Sequence, residues 1–164
     1  MLRHATSGDI PALMELQSAP GMLDGFNPVS ADSYAKMIAH AERALLVWDI
    51  DGAICGMAML ALETRRHFFA ELRKFGTHPT GQGHGSAFAQ SVLDEMFNKF
   101  GMFRVETEVY SGNARAVAFY RRLGFVEEGC LRQAVRSHAG ERVDLIQMAC
   151  LFSERNLAED GQRP

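Results

Sequence analysis

The chain has 164 residues, 47% of them hydrophobic and 23% charged, which fits one compact domain able to bury about two-thirds of its unfolded surface. Its formal net charge of −3 argues against nucleic acid as an obligate partner, so an anionic ligand has to be held locally. Apolar runs fall far short of the roughly 18 residues of a membrane span, and no charged region precedes an apolar core at the N-terminus; a soluble cytoplasmic protein with no membrane attachment is expected.

Leu2 to Ala5 reads as a first strand. Ser7 then caps a helix that begins near Asp9 and Pro11, carries Leu13 and Leu16 inward and is ended by Pro20 and Gly21. The stretch from Gly21 to Pro28 is a loop, and Ala31 to Ala41, after Ser30, is a second helix with Tyr34, Met37 and Ile38 at helical spacing. Ala44 to Ile50 and Ala53 to Leu62 are apolar and separated by Asp51-Gly52, the pattern of a tight hairpin. A further strand, Phe68 to Thr77, runs into a glycine-rich turn. The helix after that turn keeps Phe88, Val92, Leu93, Met96, Phe97 and Phe100 on one face, with Gly101 just past its end.

Phe103 to Tyr110 alternates as a strand, with Val105, Thr107 and Val109 on one side and Arg104, Glu106, Glu108 and Tyr110 on the other. Asn113 precedes a helix, Ala114 to Leu123, closed by Gly124. Two final strands, Phe125 to Val135 and Arg142 to Phe152, are joined around Ala139-Gly140. The domain is therefore expected over residues 1–152, with 153–164 a polar tail that frays. Cys55, Cys130 and Cys150 are odd in number and sit in apolar, strand-like contexts, as buried thiols in a reducing compartment would.

The glycine turn carries the first chemical signal. Gly81, Gly83 and Gly85 lack a β-carbon, so the backbone of Gly81, Gln82, Gly83, His84, Gly85 and Ser86 can bend sharply and turn successive N–H groups toward an anion. The following helix adds its unpaired first-turn amides and the positive end of its dipole. No Gly-Lys-Ser/Thr follows the glycines, which disfavours nucleotide hydrolysis, and Ser86 stands where a dinucleotide fold needs a third glycine. The six histidines have no metal-ligand spacing, and no metal is expected.

Asn113-Ala-Arg-Ala-Val-Ala-Phe-Tyr120-Arg-Arg-Leu-Gly-Phe125 resembles the asparagine-to-Tyr-x-x-x-Gly-Phe segment of the GNAT superfamily of acyl-CoA-dependent N-acyltransferases. The resemblance extends over nearly the whole chain, from Arg3-His-Ala-Thr-Ser-Gly-Asp-Ile10 to Asp144-Leu-Ile-Gln-Met148. It implies a single-domain α/β fold, a mixed and mostly antiparallel central sheet with a splayed pair of strands and flanking helices, and acetyl-CoA lying in the gap. The family's loop pattern, Arg/Gln-x-x-Gly-x-Gly/Ala, fits in two registers, one starting at Gln82 and one at Thr80; the second is preferred for helix phase. Either way the pyrophosphate is gripped through backbone amides.

By the same resemblance Tyr120 is the general acid that protonates the departing thiolate. With ordinary pKa values of about 10 and about 8.5 that transfer is uphill by roughly 2 kcal/mol. Asn113 caps its helix and holds the pantetheine arm or a water. Glu108, twelve residues before Tyr120, stands where the ribosomal-protein alanine acetyltransferases carry a glutamate base; Glu106, Glu71 and a water remain alternatives. Backbone N–H groups of Phe75, Gly76 and Thr77 would stabilise the oxyanion.

The implied reaction is direct attack of a neutral primary amine on the acetyl-CoA thioester in a ternary complex, the amine belonging to a small molecule or a protein N-terminus. An α-amine costs about 1 kcal/mol to deprotonate near neutral pH, a lysine-like amine about 4. The Gly21 to Pro28 loop, the first two helices and the Val135 to Glu141 hairpin would build the acceptor side. Arg132 and Asp144 could pair structurally, and family habit allows a homodimer. Two other readings use the same residues: a non-catalytic acyl-CoA-binding module, and a nucleotide-binding protein.

Overall fold

A computed structural model describes residues 1–22, 28–79, 81, 83–137 and 140–159, with only the backbone of 156–159. Two compact units emerge, Met1–Leu62 with Leu72–Leu93, and Glu63–Glu71 with Asp94–Pro164.

The first unit is built on β1 (Leu2–His4), β2 (Arg43–Ile50), β3 (Ala53–Glu63) and β4 (Phe69–Thr77), in that spatial order. β1 and β3 both pair antiparallel with β2. The β2–β3 hairpin closes as the sequence predicts. Asp51 and Gly52 both take the left-handed backbone, with φ of 53° and 85°, and the Asp49 carboxylate accepts the Gly52 N–H at 2.9 Å.

Helix α1 (Ile10–Gln17) follows a 3-10 turn at Ser7–Asp9, and the cap falls on Thr6 rather than Ser7. The reason is Asp9, which accepts the Thr6 N–H at 2.7 Å while gripped by both Arg3 Nη atoms at 2.8 and 2.9 Å. The helix stops at Gln17, ahead of Pro20. Buried Gln17 donates its Nε2 to Val29 O at 2.9 Å and accepts the Val29 N–H at 2.8 Å, tying the two ends of the intervening loop together. Helix α2 (Ala31–Ala39) is capped by Ser30, whose hydroxyl accepts from Ser33 N at 3.2 Å, and it ends two residues sooner than expected. Leu13, Leu16, Tyr34 and Met37 from these helices pack on Leu45, Val47 and Met57 of the strands. Helix α3 (His84–Asp94) buries Phe88 and Val92.

The second unit holds β5 (Arg104–Tyr110), β6 (Val126–Arg136) and β7 (Arg142–Leu151), ordered β5-β7-β6 and antiparallel throughout. The apolar stretch after α3 is not a continuous α-helix, because Glu95–Lys99 forms a π-helical turn before Gly101 at φ 65°. Helix α4 (Ala114–Arg122) starts on its Asn113 cap and is closed by Gly124 at φ 93°. The polar tail begins with helix α5 (Phe152–Glu159) rather than fraying at Ser153, and Arg155 reaches Asp94 at 2.6 Å.

β6 departs most from simple alternation. Register slips between Leu131 and Val135, Gln133 takes a left-handed φ of 51°, and the Asp144 carboxylate accepts the Gln133 N–H at 2.7 Å. Asp144 therefore holds a bulge, and among the described residues it makes no ion pair with Arg132. Only Cys150 is the buried thiol expected, its pKa pushed up to about 11 by burial; Cys55 is half-buried and Cys130 exposed.

Candidate active site

The end of β4 and the glycine turn belong to the first unit. Phe75 stacks on Phe88 of α3 at 5.0 Å between ring centroids, and Trp48 lies against the other part of that ring at 5.6 Å. The Phe75 side chain is thus committed to packing, which leaves its backbone for any contact with a ligand. Gly76 faces the opposite way; a Cβ there would come within 2.7 Å of Met22 Cε. Met22 therefore packs directly on the strand at Gly76.

Gly81 and Gly83 have φ of 86° and 81°, with open space where a Cβ would stand. Both therefore need the left-handed region that glycine alone enters freely. Gly85 does something else: it lies in the first turn of α3, between His84 and Ser86, with helical backbone. Its amide and those of its two neighbours are first-turn donors with no acceptor inside the helix. Thr80 and Gln82, on which the choice of register depends, lie outside the described residues.

Asn113, Tyr120 and Glu108 belong to the second unit. The Asn113 side chain accepts the Ala116 N–H at 3.0 Å, so its carbonyl oxygen is engaged as a helix cap. Tyr120 is 8% exposed. Its ring meets Phe125 edge-on at 5.1 Å and Phe119 at 5.4 Å, and its hydroxyl is hydrogen-bonded to the Thr107 side chain. Burial pushes the phenol up to about 12, the Thr107 hydroxyl pulling in the other direction. Thr107 itself is buried. From sequence it stands with Val105 and Val109 on one side of the strand, without a role; a hydroxyl between two valines is the available signal.

Thr107 and Glu108 are consecutive on β5, so their side chains leave opposite faces. Tyr120 is on the Thr107 face. The Arg121–Glu127 ion pair, which ties α4 to β6, fits a helix packed along that face. Glu108 is exposed on the other face, and among the described residues its carboxylate has no hydrogen-bond or ion-pair partner. Glu106 is different. Arg104 donates its Nε to Glu106 at 2.9 Å and forks onto Glu128 at 2.7 and 2.5 Å, holding the Glu128 carboxyl below the usual range. Glu71 sits partly buried on β4.

No cluster of three His, Cys, Asp or Glu side chains suited to a metal ion occurs among the described residues, and none of their helices is long and apolar enough to cross a membrane.

Comparison with known proteins agrees with this arrangement. The pattern of the Acetyltransferase (GNAT) family matches residues 10–125. Spermidine N(1)-acetyltransferase of Escherichia coli is 30% identical over 131 residues, spanning 79% of this chain and 69% of that one. The crystal structure of spermidine N-acetyltransferase from Vibrio cholerae, in complex with CoA and spermine, superposes with a TM-score of 0.82 at 25% identity, covering 94% of this chain and 96% of the other. The ribosomal-protein-S18-alanine N-acetyltransferase of Escherichia coli has the same fold, with a TM-score of 0.77 at 24% identity over 93% of each chain. Seven strands of a mixed sheet with flanking helices, a glycine turn opening a helix and a buried tyrosine are thus the parts of one known architecture. The chain belongs to the GNAT acetyltransferase family, and its reaction is acetyl transfer from acetyl-CoA to an amine.

Proposed function

We propose that a primary amine attacks the acetyl-CoA thioester directly in a ternary complex, with Tyr120 as general acid and Glu108 as base. The observation that carries this assignment is their placement on opposite faces of β5. An amine must lose a proton on the side from which it approaches, and the thiolate must gain one on the side to which it leaves. A carboxylate on one face and a phenol on the other meet both demands without exchanging a proton between themselves. Glu108 is favoured over Glu106 because Arg104 already occupies the latter.

The cofactor grip is assigned to the backbone of Gly81, Gln82, Gly83, His84, Gly85 and Ser86, with Asn113 and Tyr120 along the pantetheine arm and the amides of Phe75, Gly76 and Thr77 at the oxyanion. Two left-handed glycines followed by a helix N-terminus support that grip. A small cationic amine of the polyamine class is the favoured acceptor, since the 30% identical relative is a spermidine acetyltransferase and Glu108 leaves an exposed carboxylate on the face where Arg104 already pairs with Glu106 and Glu128. A peptide N-terminus is the second candidate. Residues 1–152 are proposed as the catalytic domain in the cytoplasm. We also propose a homodimer through β6, an edge strand with ten of eleven residues exposed, Val126 among them at 55%.

CoA-thiol release measured over polyamines, monoamines and alanine-starting peptides tests the reading. Turnover with a polyamine, reduced by Tyr120→Phe with acetyl-CoA affinity preserved, is expected. A wild-type chain that binds acetyl-CoA but turns over no amine would be a binding module instead. Equilibrium sedimentation reports the dimer, which Leu131→Arg should dissociate.

A further inference from the structure

We infer that Thr107 is a positioning residue for the acid: its hydroxyl fixes the Tyr120 phenol and stabilises the phenolate formed when the thiolate is protonated. The inference rests on the assignment of Tyr120 as general acid and adds a residue that neither the motif nor the family resemblance singled out.

Three features of the second unit lead to it. Thr107 is 4% exposed and Tyr120 8% exposed, so water does not solvate this hydroxyl pair freely. The phenol ring is held on its edges by Phe119 and Phe125, and the backbone on which it stands is closed by Phe125 N–H donating to Tyr120 O at 3.0 Å. Ring packing fixes where the phenol lies but cannot fix which way its O–H points. That is set by the hydrogen bond to Thr107. When the Thr107 hydroxyl donates to the phenol oxygen, the phenol's own proton is left aimed away from the strand and free for transfer.

In the tetrahedral intermediate the C–S bond breaks and its electron pair goes to sulfur. The phenol proton moves to that sulfur, giving the CoA thiol, and the electron pair of the O–H bond stays on Tyr120 as phenolate. The ammonium proton of the new amide nitrogen goes to the base, and the phenolate regains a proton from solvent before the next turnover. A hydrogen bond from Thr107 grows stronger as negative charge builds on the phenol oxygen, because bonds to charged acceptors are roughly twice as strong as neutral ones. It therefore favours the transition state over the ground state.

The test uses the full chain, acetyl-CoA and whichever amine turns over best. Thr107→Val removes the hydroxyl at nearly constant volume, and Thr107→Ser keeps it. Thr107→Val should lower kcat about three- to thirtyfold, the range for a hydrogen bond to a partly charged acceptor, with KM for acetyl-CoA unchanged within about twofold. Thr107→Ser should return most of the loss. In a Tyr120→Phe background the valine substitution should have no further effect on kcat, whereas a purely structural role would leave its cost intact.

Wild-type kcat in Thr107→Val, or an equal loss in the Tyr120→Phe background, overturns the inference while leaving Tyr120 as the acid. No loss in Tyr120→Phe alone overturns both. If the valine protein does not fold, the same cycle with Thr107→Ala against Thr107→Ser decides, since those two also differ in the hydroxyl.

Discussion

Gly56 and Gly76 offer a direct test of how packing is read from this structure. An alanine methyl at Gly76 would stand 2.7 Å from Met22 Cε and 2.8 Å from its Sδ; at Gly56 it would stand 2.9 Å from Phe88 Cδ1 and 3.0 Å from Thr77 Cγ2. Carbon contacts prefer about 3.5–4.0 Å, so both sites overlap by a large fraction of an ångström, and distance alone ranks Gly76 as the worse. Mobility of the neighbour reverses the order. Met22 presents the far end of a flexible thioether. Phe88 is fully buried and wedged between Phe75 and Trp48, so its ring has nowhere to go.

Overpacking a rigid core costs about 1–3 kcal/mol, and Gly56→Ala should fall at the upper end. At about 2–4 °C per kcal/mol for a chain of this size, its Tm should drop by roughly 5–10 °C. Gly76→Ala should cost less than about 1 kcal/mol but displace the Met22 side chain from the strand, raising KM for the amine more than KM for acetyl-CoA. Urea unfolding and thermal melts of the two variants decide the point. A Gly76→Ala protein less stable than Gly56→Ala would show that the mobility of the neighbour does not govern the cost.

Two further outcomes are expected. Glu108→Gln should lower kcat/KM for the amine about 10- to 100-fold, with acetyl-CoA binding by calorimetry unchanged, while Glu106→Gln, which only loosens Arg104, should cost less; the reverse order would move the base to Glu106. Arg3→Ala should destabilise the fold by about 1 kcal/mol at neutral pH, the low end for a charged hydrogen bond because the Arg3 side chain is 34% exposed. The Asp9 carboxyl is held far below the ordinary range, first by its hydrogen bond to Arg3. The contribution is therefore complete above the unfolded value of about 3.9 and fades as acid titrates the folded group. The gap between the denaturant midpoints of wild type and Arg3→Ala should begin to narrow below about pH 4 and go on narrowing as the pH falls toward the depressed Asp9 value; a gap that does not change with acid would assign the loss to packing.

The parts legible from sequence are those whose chemistry is local. Ser30 and Asn113 could be placed as caps because a side-chain oxygen one turn before an apolar face has one main use. Asp51-Gly52 and Gly124 could be placed because a left-handed backbone selects those residues. What escaped depends on partners distant in the chain. The β6 bulge exists because Asp144 of β7 accepts from Gln133, and nothing around Gln133 announces it. The cap before the first helix falls on Thr6 because Arg3 holds Asp9 in a fork, a contact with β1 that helix periodicity does not contain. The π-helical turn at Glu95–Lys99 escaped because the apolar residues there suit an ordinary helix equally well.

The site divides in the same way. The glycines and Tyr120 carry a recognisable spacing, while the tie between Tyr120 and Thr107 joins a helix residue to a strand residue, a pairing that no spacing announces.

The alternation of β5 has a consequence for titration. A carboxylate and a phenol in mutual contact would ionise as a coupled pair, each blurring the other's midpoint. Here the backbone of one strand separates them, and Tyr120, pushed up to about 12, keeps its proton across the whole accessible range. The donor half of the reaction is then silent toward pH. A plot of log kcat against pH should climb through a single ionisation on the amine side and run level into alkali, with no descending limb from the acid.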